Sequence, residues 1–217
     1  MSRTRVGVLI SGRGSNLQAL LDAQASAAAP YEIALVVAND PAAKGLERAL
    51  HAGIETAVVD HKPFGKDRGA FEDAVQSALD EHAIEFVALA GFMRVLTPAF
   101  VARWRGRMIN IHPSLLPAFP GLDTHARALD AGVKLHGCSV HWVSEGVDQG
   151  AIIGQAAVPL RPNDTAETLA ARVLTAEHQL FPMCLALAVQ LGDSEVRGFG
   201  PREDAALLLN SWLAARD

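Results

Sequence analysis

The chain holds only two cysteines, Cys138 and Cys184, and nowhere gathers its lysines and arginines into a basic run. Two thiols in 217 residues make no disulfide framework, and a chain that can bury a large apolar core needs none. Both read as reduced packing residues, the state expected of a cytoplasmic protein. Without clustered cations a nucleic-acid backbone has nothing to grip, and the formal charge of -5 opposes it further. Long hydrophobic runs are absent too. After Met1-Ser2-Arg3-Thr4-Arg5 the first apolar stretch covers only residues 6–10, too short for a signal peptide or a membrane span. Internal repeats and low-complexity segments are likewise missing. What remains is a chain half of whose residues are hydrophobic, enough for one domain with a full core. Its expected partner is a small molecule, with no nucleic acid and no membrane.

What the sequence does contain is alternation. Short apolar runs, rich in β-branched residues, at 5–10, 32–38, 56–60, 86–90 and 107–111 read as strands, and segments of helical period lie between them. Runs apolar on both faces and separated by helices are what a parallel sheet covered on each side requires. The predicted class is therefore α/β, a doubly wound, mainly parallel sheet. After Pro113 the texture changes, because Pro113, Pro117, Pro120 and Gly121 crowd a segment that can be neither helix nor central strand. Two more strand-like runs, 135–143 and 151–159, flank a turn-rich Ser-Glu-Gly-Val-Asp-Gln-Gly stretch and predict a hairpin-like antiparallel addition. From 164 to 191, Leu169, Val173, Leu180, Leu185 and Val189 recur near helical spacing, with Thr165 and Thr168 at the start and Pro182 as an interruption. That pattern predicts a long helix with a place to kink. The tail from 198 ends in an apolar helical turn at 207–213. One domain, 1–217, thus divides into an α/β half (1–112), a loop half (113–191) and a tail (192–217).

The segment Ser11-Gly12-Arg13-Gly14-Ser15-Asn16-Leu17 follows the first strand directly and opens a helix carrying Leu17, Leu20 and Leu21. Glycines let the backbone turn tightly. Free amides at a helix start, with the positive end of its dipole, favour an anion such as phosphate. The dinucleotide fingerprint is incomplete, since Leu17 stands where a third glycine or alanine belongs and Asn39 where the second strand should end in an acid. A nicotinamide cofactor is not expected. A plainer reading keeps the glycines as a tight turn, with Ser15 capping the helix.

In Met108-Ile109-Asn110-Ile111-His112-Pro113, alternation puts Met108, Asn110 and His112 on one face and Ile109 and Ile111 on the other. Pro113 keeps His112 extended, so both polar groups leave the sheet at its carboxyl end, where open α/β proteins bind ligands. Asn110 offers amide donors to a developing oxyanion, and an imidazole near neutrality can carry a proton, a pair suited to acyl transfer. Asp148, in the turn between the last two strands, is a candidate to hold the His112 ring and raise its pKa. Each also has a blander use, Asp148 in its own turn before Gly150, Asn110 and His112 as a cap and a hydrogen-bonded strand end. His136 and Cys138 on one strand face, with His125 not far away, raise a metal site. Zinc ligands come in close pairs and no second pair completes a set, so no metal is expected and these side chains read as core or pocket wall.

Taken in order, the segments Leu9-Ile10-Ser11-Gly12-Arg13-Gly14-Ser15-Asn16-Leu17, Leu89-Ala90-Gly91-Phe92-Met93-Arg94-Val95-Leu96 and Asn110-Ile111-His112-Pro113-Ser114-Leu115-Leu116-Pro117 closely resemble the phosphoribosylglycinamide formyltransferases. The likeness continues through Pro120-Gly121, His136-Gly137-Cys138-Ser139-Val140-His141 and Asp148-Gln149-Gly150, over most of 6–182. The resemblance implies a Rossmann-like, formyltransferase-like domain of purine (IMP) biosynthesis. Its co-substrate would be 10-formyltetrahydrofolate, and its acceptor the primary amine of 5'-phosphoribosylglycinamide, which attacks directly through a tetrahedral intermediate. It implies Asn110, His112 and Asp148 at the reacting carbon, Gly14, Ser15 and Asn16 on the substrate's phosphate, and Glu177 on its ribose. The folate would touch Asn110 and lie between Met93, Arg94, Val95 and Leu96 on one side and Ser144, Glu145, Gly146, Val147 and Asp148 on the other, with Arg68 on its acidic tail. Asp123 stands where many relatives have histidine, and Leu174 and Ala176 where they are often polar, departures that touch peripheral contacts only.

Three other readings stay open. Deformylases that release formate from the same folate usually carry a regulatory domain ahead of the catalytic part, and here the strand pattern starts at Arg5. Transfer-RNA formyltransferases usually append a basic module, and this tail is not basic. The third is a folate- or nucleotide-binding module without turnover. Monomer and homodimer both fit.

Overall fold

The computed structural model describes residues 2–195, with side chains as far as Leu191; the tail from 198 and the helical turn expected at 207–213 lie outside the described residues. The strands are β1 (Thr4–Ile10), β2 (Tyr31–Ala38), β3 (Glu55–Val58), β4 (Phe86–Leu89), β5 (Met108–His112), β6 (Leu135–Trp142) and β7 (Ile152–Pro159). The helices are α1 (Ser15–Gln24), α2 (Gly45–His51), α3 (Arg68–Glu81), α4 (Pro98–Arg103), α5 (Thr124–Asp130) and α6 (Ala166–Glu195), with a single 3-10 turn at Lys62–Phe64. Every strand falls within two residues of the stretch that alternation predicted.

One seven-stranded sheet runs in the order β3-β2-β1-β4-β5-β6-β7. The first five strands are parallel, and β6 and then β7 are added antiparallel. Period-two alternation sends Val6, Val8, Ile10, Ile109 and Ile111 into a core shared with Leu17 and Leu20 of α1 and Leu169 and Leu185 of α6. Leu9, Val87 and Met108 enter the opposite core with Phe71, Val75 and Leu79 of α3 and Phe100 of α4. Each fully buried Leu or Phe contributes roughly 1.5–3 kcal/mol, which is why these strands carry almost no polar side.

Local chemistry sets the helix starts. Asp67 accepts from Ala70 N ahead of α3, and Thr97 accepts from Phe100 N ahead of α4, where Pro98 takes the first turn. Before α6, Thr165 N donates to Thr168 Oγ1 at 2.9 Å and Thr168 N to Thr165 Oγ1 at 3.3 Å, a reciprocal cap at the predicted start. The helix runs unbroken through Pro182 and packs across α1, β6 and β7. At α1 the cap is Gly14, in the left-handed region at φ 69°, and Ser15 is the first helical residue with no side-chain capping bond, which overturns the plainer reading of that serine. A Cβ on Gly14 would lie 2.5 Å from Gly45 Cα, so the glycine also lets α2 close on the loop.

The C-terminal ends of β1 and β4 are tied together. Ser11 N donates to Gly91 O at 3.2 Å, and Ser11 Oγ accepts from Met93 N at 2.7 Å. Asn39, at the end of β2, accepts from Ser11 and meets His61, so the position a dinucleotide fold gives to an acid serves here to hold two loops.

Candidate active site

The reversal of direction between β5 and β6 builds the site. Asn110 stands opposite His141 and His112 opposite Ser139, and opposed residues share a face. Four polar side chains therefore meet on the side away from Ile109 and Ile111. Asp148 reaches the same point from the turn after β6. Its Oδ2 lies 3.4 Å from His112 Nδ1 and accepts from Gly121 N at 2.9 Å, while its Oδ1 lies 3.7 Å from His141 Nε2. The turn is drawn tight: Asp148 holds φ 54°, and a Cβ on Gly150 would fall 1.6 Å from Trp142 O.

Two ring tautomers follow from their acceptors. His112 Nε2 lies 3.1 Å from Phe119 O, and a carbonyl can only accept, so Nε2 carries a hydrogen and Nδ1 faces the carboxylate. His141 Nδ1 lies 2.9 Å from Trp142 O, which leaves its Nε2 to accept from Asn110 Nδ2 at 3.2 Å. His141 thus orients the Asn110 amide and spends one of its two hydrogens.

Burial pushes the His112 pKa below the ordinary imidazole value, and the Phe119 carbonyl and the Asp148 carboxylate, which favour the cation, do not overturn it. The expectation of a raised His112 pKa is corrected accordingly. The carboxylate pulls upward as anticipated, but a ring only 5% exposed loses more by desolvation. For Asp148 burial pulls upward, yet the adjacent His141 ring, the hydrogen bond from Gly121 N and the His112 imidazole hold the net value below the usual carboxylate range. At neutral pH the pair rests as neutral imidazole and carboxylate.

The proline-rich loop after β5 is held by polar groups of β6 and β7. Ser139 Oγ donates to Ser114 O at 2.7 Å and accepts from Leu116 N at 3.0 Å, and Gln155 Nε2 donates to Leu116 O at 2.9 Å. These bonds fix the segment that presents Phe119 O to His112. His136 Nε2 meets His125 Nδ1 at 3.2 Å, so the pair considered as metal ligands contact each other; among the described residues no group of three or more His, Cys, Asp or Glu is arranged to hold a metal. Cys138 and Cys184 are buried free thiols.

The glycine loop is completed from far along the chain. Asn16 Nδ2 donates to Glu177 Oε2 at 2.6 Å, joining the first turn of α1 to the middle of α6. Burial raises the Glu177 pKa, with Asn16 opposing it. Asn16 Oδ1 is buried with no hydrogen-bond partner, an acceptor suited to a hydroxyl-bearing ligand.

Apolar side chains stand open on the two loops flanking Asn110: Met93 is 69%, Val95 59% and Val147 55% exposed. Only Phe92 of the Phe92-Met93 pair is core. Leu96 packs on the α3–α4 core, Arg94, Ser144 and Gly146 are half-buried, and Glu145 is exposed and pairs with Arg105 at 3.6 Å. Open apolar walls with a few polar groups between them suit a flat heterocycle. Arg68 stands apart, exposed in the first turn of α3, and is linked to these loops through the ring contacts Phe64–Phe71 and Phe71–Phe92. His141, Ser139, Gln155 and Ser11 were given no role by the sequence. For Ser139 and His141 the signal was polarity within a strand that burial makes apolar.

Residues 4–185 match the profile of a family described as Formyl transferase. The phosphoribosylglycinamide formyltransferase of Escherichia coli is 46% identical over 178 residues, which is 82% of this chain and 84% of that protein. The trifunctional purine biosynthetic protein adenosine-3 of Bos taurus is 50% identical over 196 residues, 88% of this chain but 19% of the relative. The chain spans about a fifth of the length of such trifunctional relatives. The crystal structure of phosphoribosylglycinamide formyltransferase from Brucella melitensis is 52% identical, with a TM-score of 0.82 over 86% of this chain and 96% of that one.

Proposed function

The chain belongs to the formyl transferase family, and from that premise we propose that it transfers a formyl group from 10-formyltetrahydrofolate to the primary amine of 5'-phosphoribosylglycinamide. This is a step of purine biosynthesis, carried out by one cytoplasmic domain acting on small molecules. The convergence of Asn110, His112 and Asp148 at the carboxyl end of the sheet carries the reading, and the open helix start after the glycine loop supports it.

When bound, the folate supplies the formyl carbon. Met93, Arg94, Val95, Leu96 and the 144–148 loop would hold it, and Arg68 would take its acidic tail. Gly14, Ser15 and Asn16 would receive the substrate's phosphate through the free amides of the α1 start, and Glu177 with Asn16 its ribose. The Asn110 Nδ2 hydrogen not used by His141 remains for the formyl oxygen as negative charge grows there; such a donor is worth about 100-fold or more in rate. His112 Nδ1 takes the proton the amine must lose, directly or through a water, and returns it to the departing nitrogen. As it does so the imidazolium sits between Phe119 O and Asp148, both of which stabilise it. Burial keeps the ring neutral beforehand, so the proton-accepting form is the resting one.

The test mixes purified protein with 10-formyltetrahydrofolate and phosphoribosylglycinamide and follows tetrahydrofolate. Formation that depends on the amine is expected. Formate release without any amine would make the chain a deformylase, and binding without turnover would make it a binding module.

A further inference from the structure

Two cations beside the glycine loop do nothing for the fold. Arg13, within the loop, and Lys44, just before α2, are exposed, and neither side chain makes a hydrogen bond or ion pair among the described residues. With Glu47, Arg48 and His51 they line an open pocket of about 310 Å³ on the loop's outer flank. Arg48 offers the contrast: its Nε donates to Arg13 O at 3.0 Å and a terminal nitrogen to Gln18 Oε1 at 3.1 Å, so it braces the loop. Gly45 N donates to Gly12 O at 3.0 Å, which brings Lys44 against the same backbone.

Lys44 stands just ahead of Gly45 in helical backbone conformation, at φ -61° and ψ -18°, so its cation lies near the positive end of the α2 dipole, a placement that does not favour the fold. Charge supplies a use. The chain carries -5 overall, so a dianionic phosphate ester approaches a molecule that on average repels it. Arg13, Lys44 and Arg48 against the single acid Glu47 of this pocket reverse that sign locally, next to the loop.

Resting on the function proposed above, we propose that Arg13 and Lys44 are steering residues for the substrate's phosphate, raising its capture by residues 14–16 without touching the reacting atoms. The test measures kcat/KM for phosphoribosylglycinamide and, independently of transfer, the affinity for ribose 5-phosphate, each from low to high ionic strength. The proteins compared are wild type, Arg13→Gln, Lys44→Gln, the double variant and Glu47→Gln, each checked for an unchanged melting temperature. At low salt the double variant should lose about tenfold in both quantities with kcat within about twofold, and the gap should close as salt screens it. The single variants should lose less, and Glu47→Gln should shift affinity the other way. A folded double variant with wild-type affinity and wild-type salt dependence overturns the proposal, as does wild-type protein that binds no ribose 5-phosphate. If ribose 5-phosphate behaves as expected while the wild type transfers no formyl group, steering stands and the function proposed above falls.

Discussion

The chemistry rests on which hydrogen each side chain holds. His112→Ala removes the proton acceptor, and Asp148→Asn removes the charge that favours a proton on Nδ1. Either change should lower kcat about 100-fold or more with the melting temperature near wild type, and near-normal turnover in either variant rejects the assigned roles. His141 acts one step back. His141→Phe deprives Asn110 Nδ2 of its acceptor and leaves the amide free to turn. An oxyanion donor that is no longer held in place stabilises the transition state less, so a kcat loss of about tenfold is expected with both KM values little changed. His141→Gln, whose carbonyl can accept in the same place, should recover part of that loss. Equal losses in the two variants would show that His141 merely fills space.

At the scale of elements, contacts between neighbours decide two further outcomes. α2 presses its first residue against the glycine loop, so Gly14→Ala meets both the Gly45 backbone and a left-handed φ of 69°. The strain, about 1–2 kcal/mol or more, displaces loop and helix together. KM for the phosphorylated substrate should rise about tenfold with some loss of melting temperature, while kcat at saturation changes less; a defect confined to kcat contradicts a ground-state role for the loop. Between α5 and β6, burial first and then His125 push the His136 pKa down to about 4, and His125 is lowered as well. A folded value below the ordinary 6.5 means that the unfolded chain binds more protons in that interval. The stability contributed by neutral His136 is therefore full above about pH 6.5 and drains as pH falls toward about 4. At about 1.4 kcal/mol per pH unit the loss is on the order of 3 kcal/mol. Melting temperatures of wild type and His136→Gln, compared near neutrality and near pH 5, should show the variant less sensitive to acid. Equal sensitivity would place the titration elsewhere.

For the molecule as a whole, what could be read beforehand was whatever depends on near neighbours in sequence. β-branched runs announced the strands, the glycine loop announced a tight strand-to-helix turn, and the Asn110–His112 alternation announced two polar groups leaving one face. The antiparallel register was not readable. Nothing local says that His141 will stand opposite Asn110 or Ser139 opposite His112, since that pairing is set by the length and bend of the intervening loop. The His112 pKa was misjudged for a related reason, because the carboxylate was visible in the sequence and the desolvation was not. The longest link in the site joins Asn16 to Glu177 across 161 positions. A chain emerging from the ribosome makes its glycine loop early and must wait until α6 is well under way before Glu177 arrives. Nascent fragments and truncations ahead of that residue carry the loop without its far wall, so retention on an immobilised sugar phosphate would select molecules that extend past Glu177 from a mixture of partial translation products.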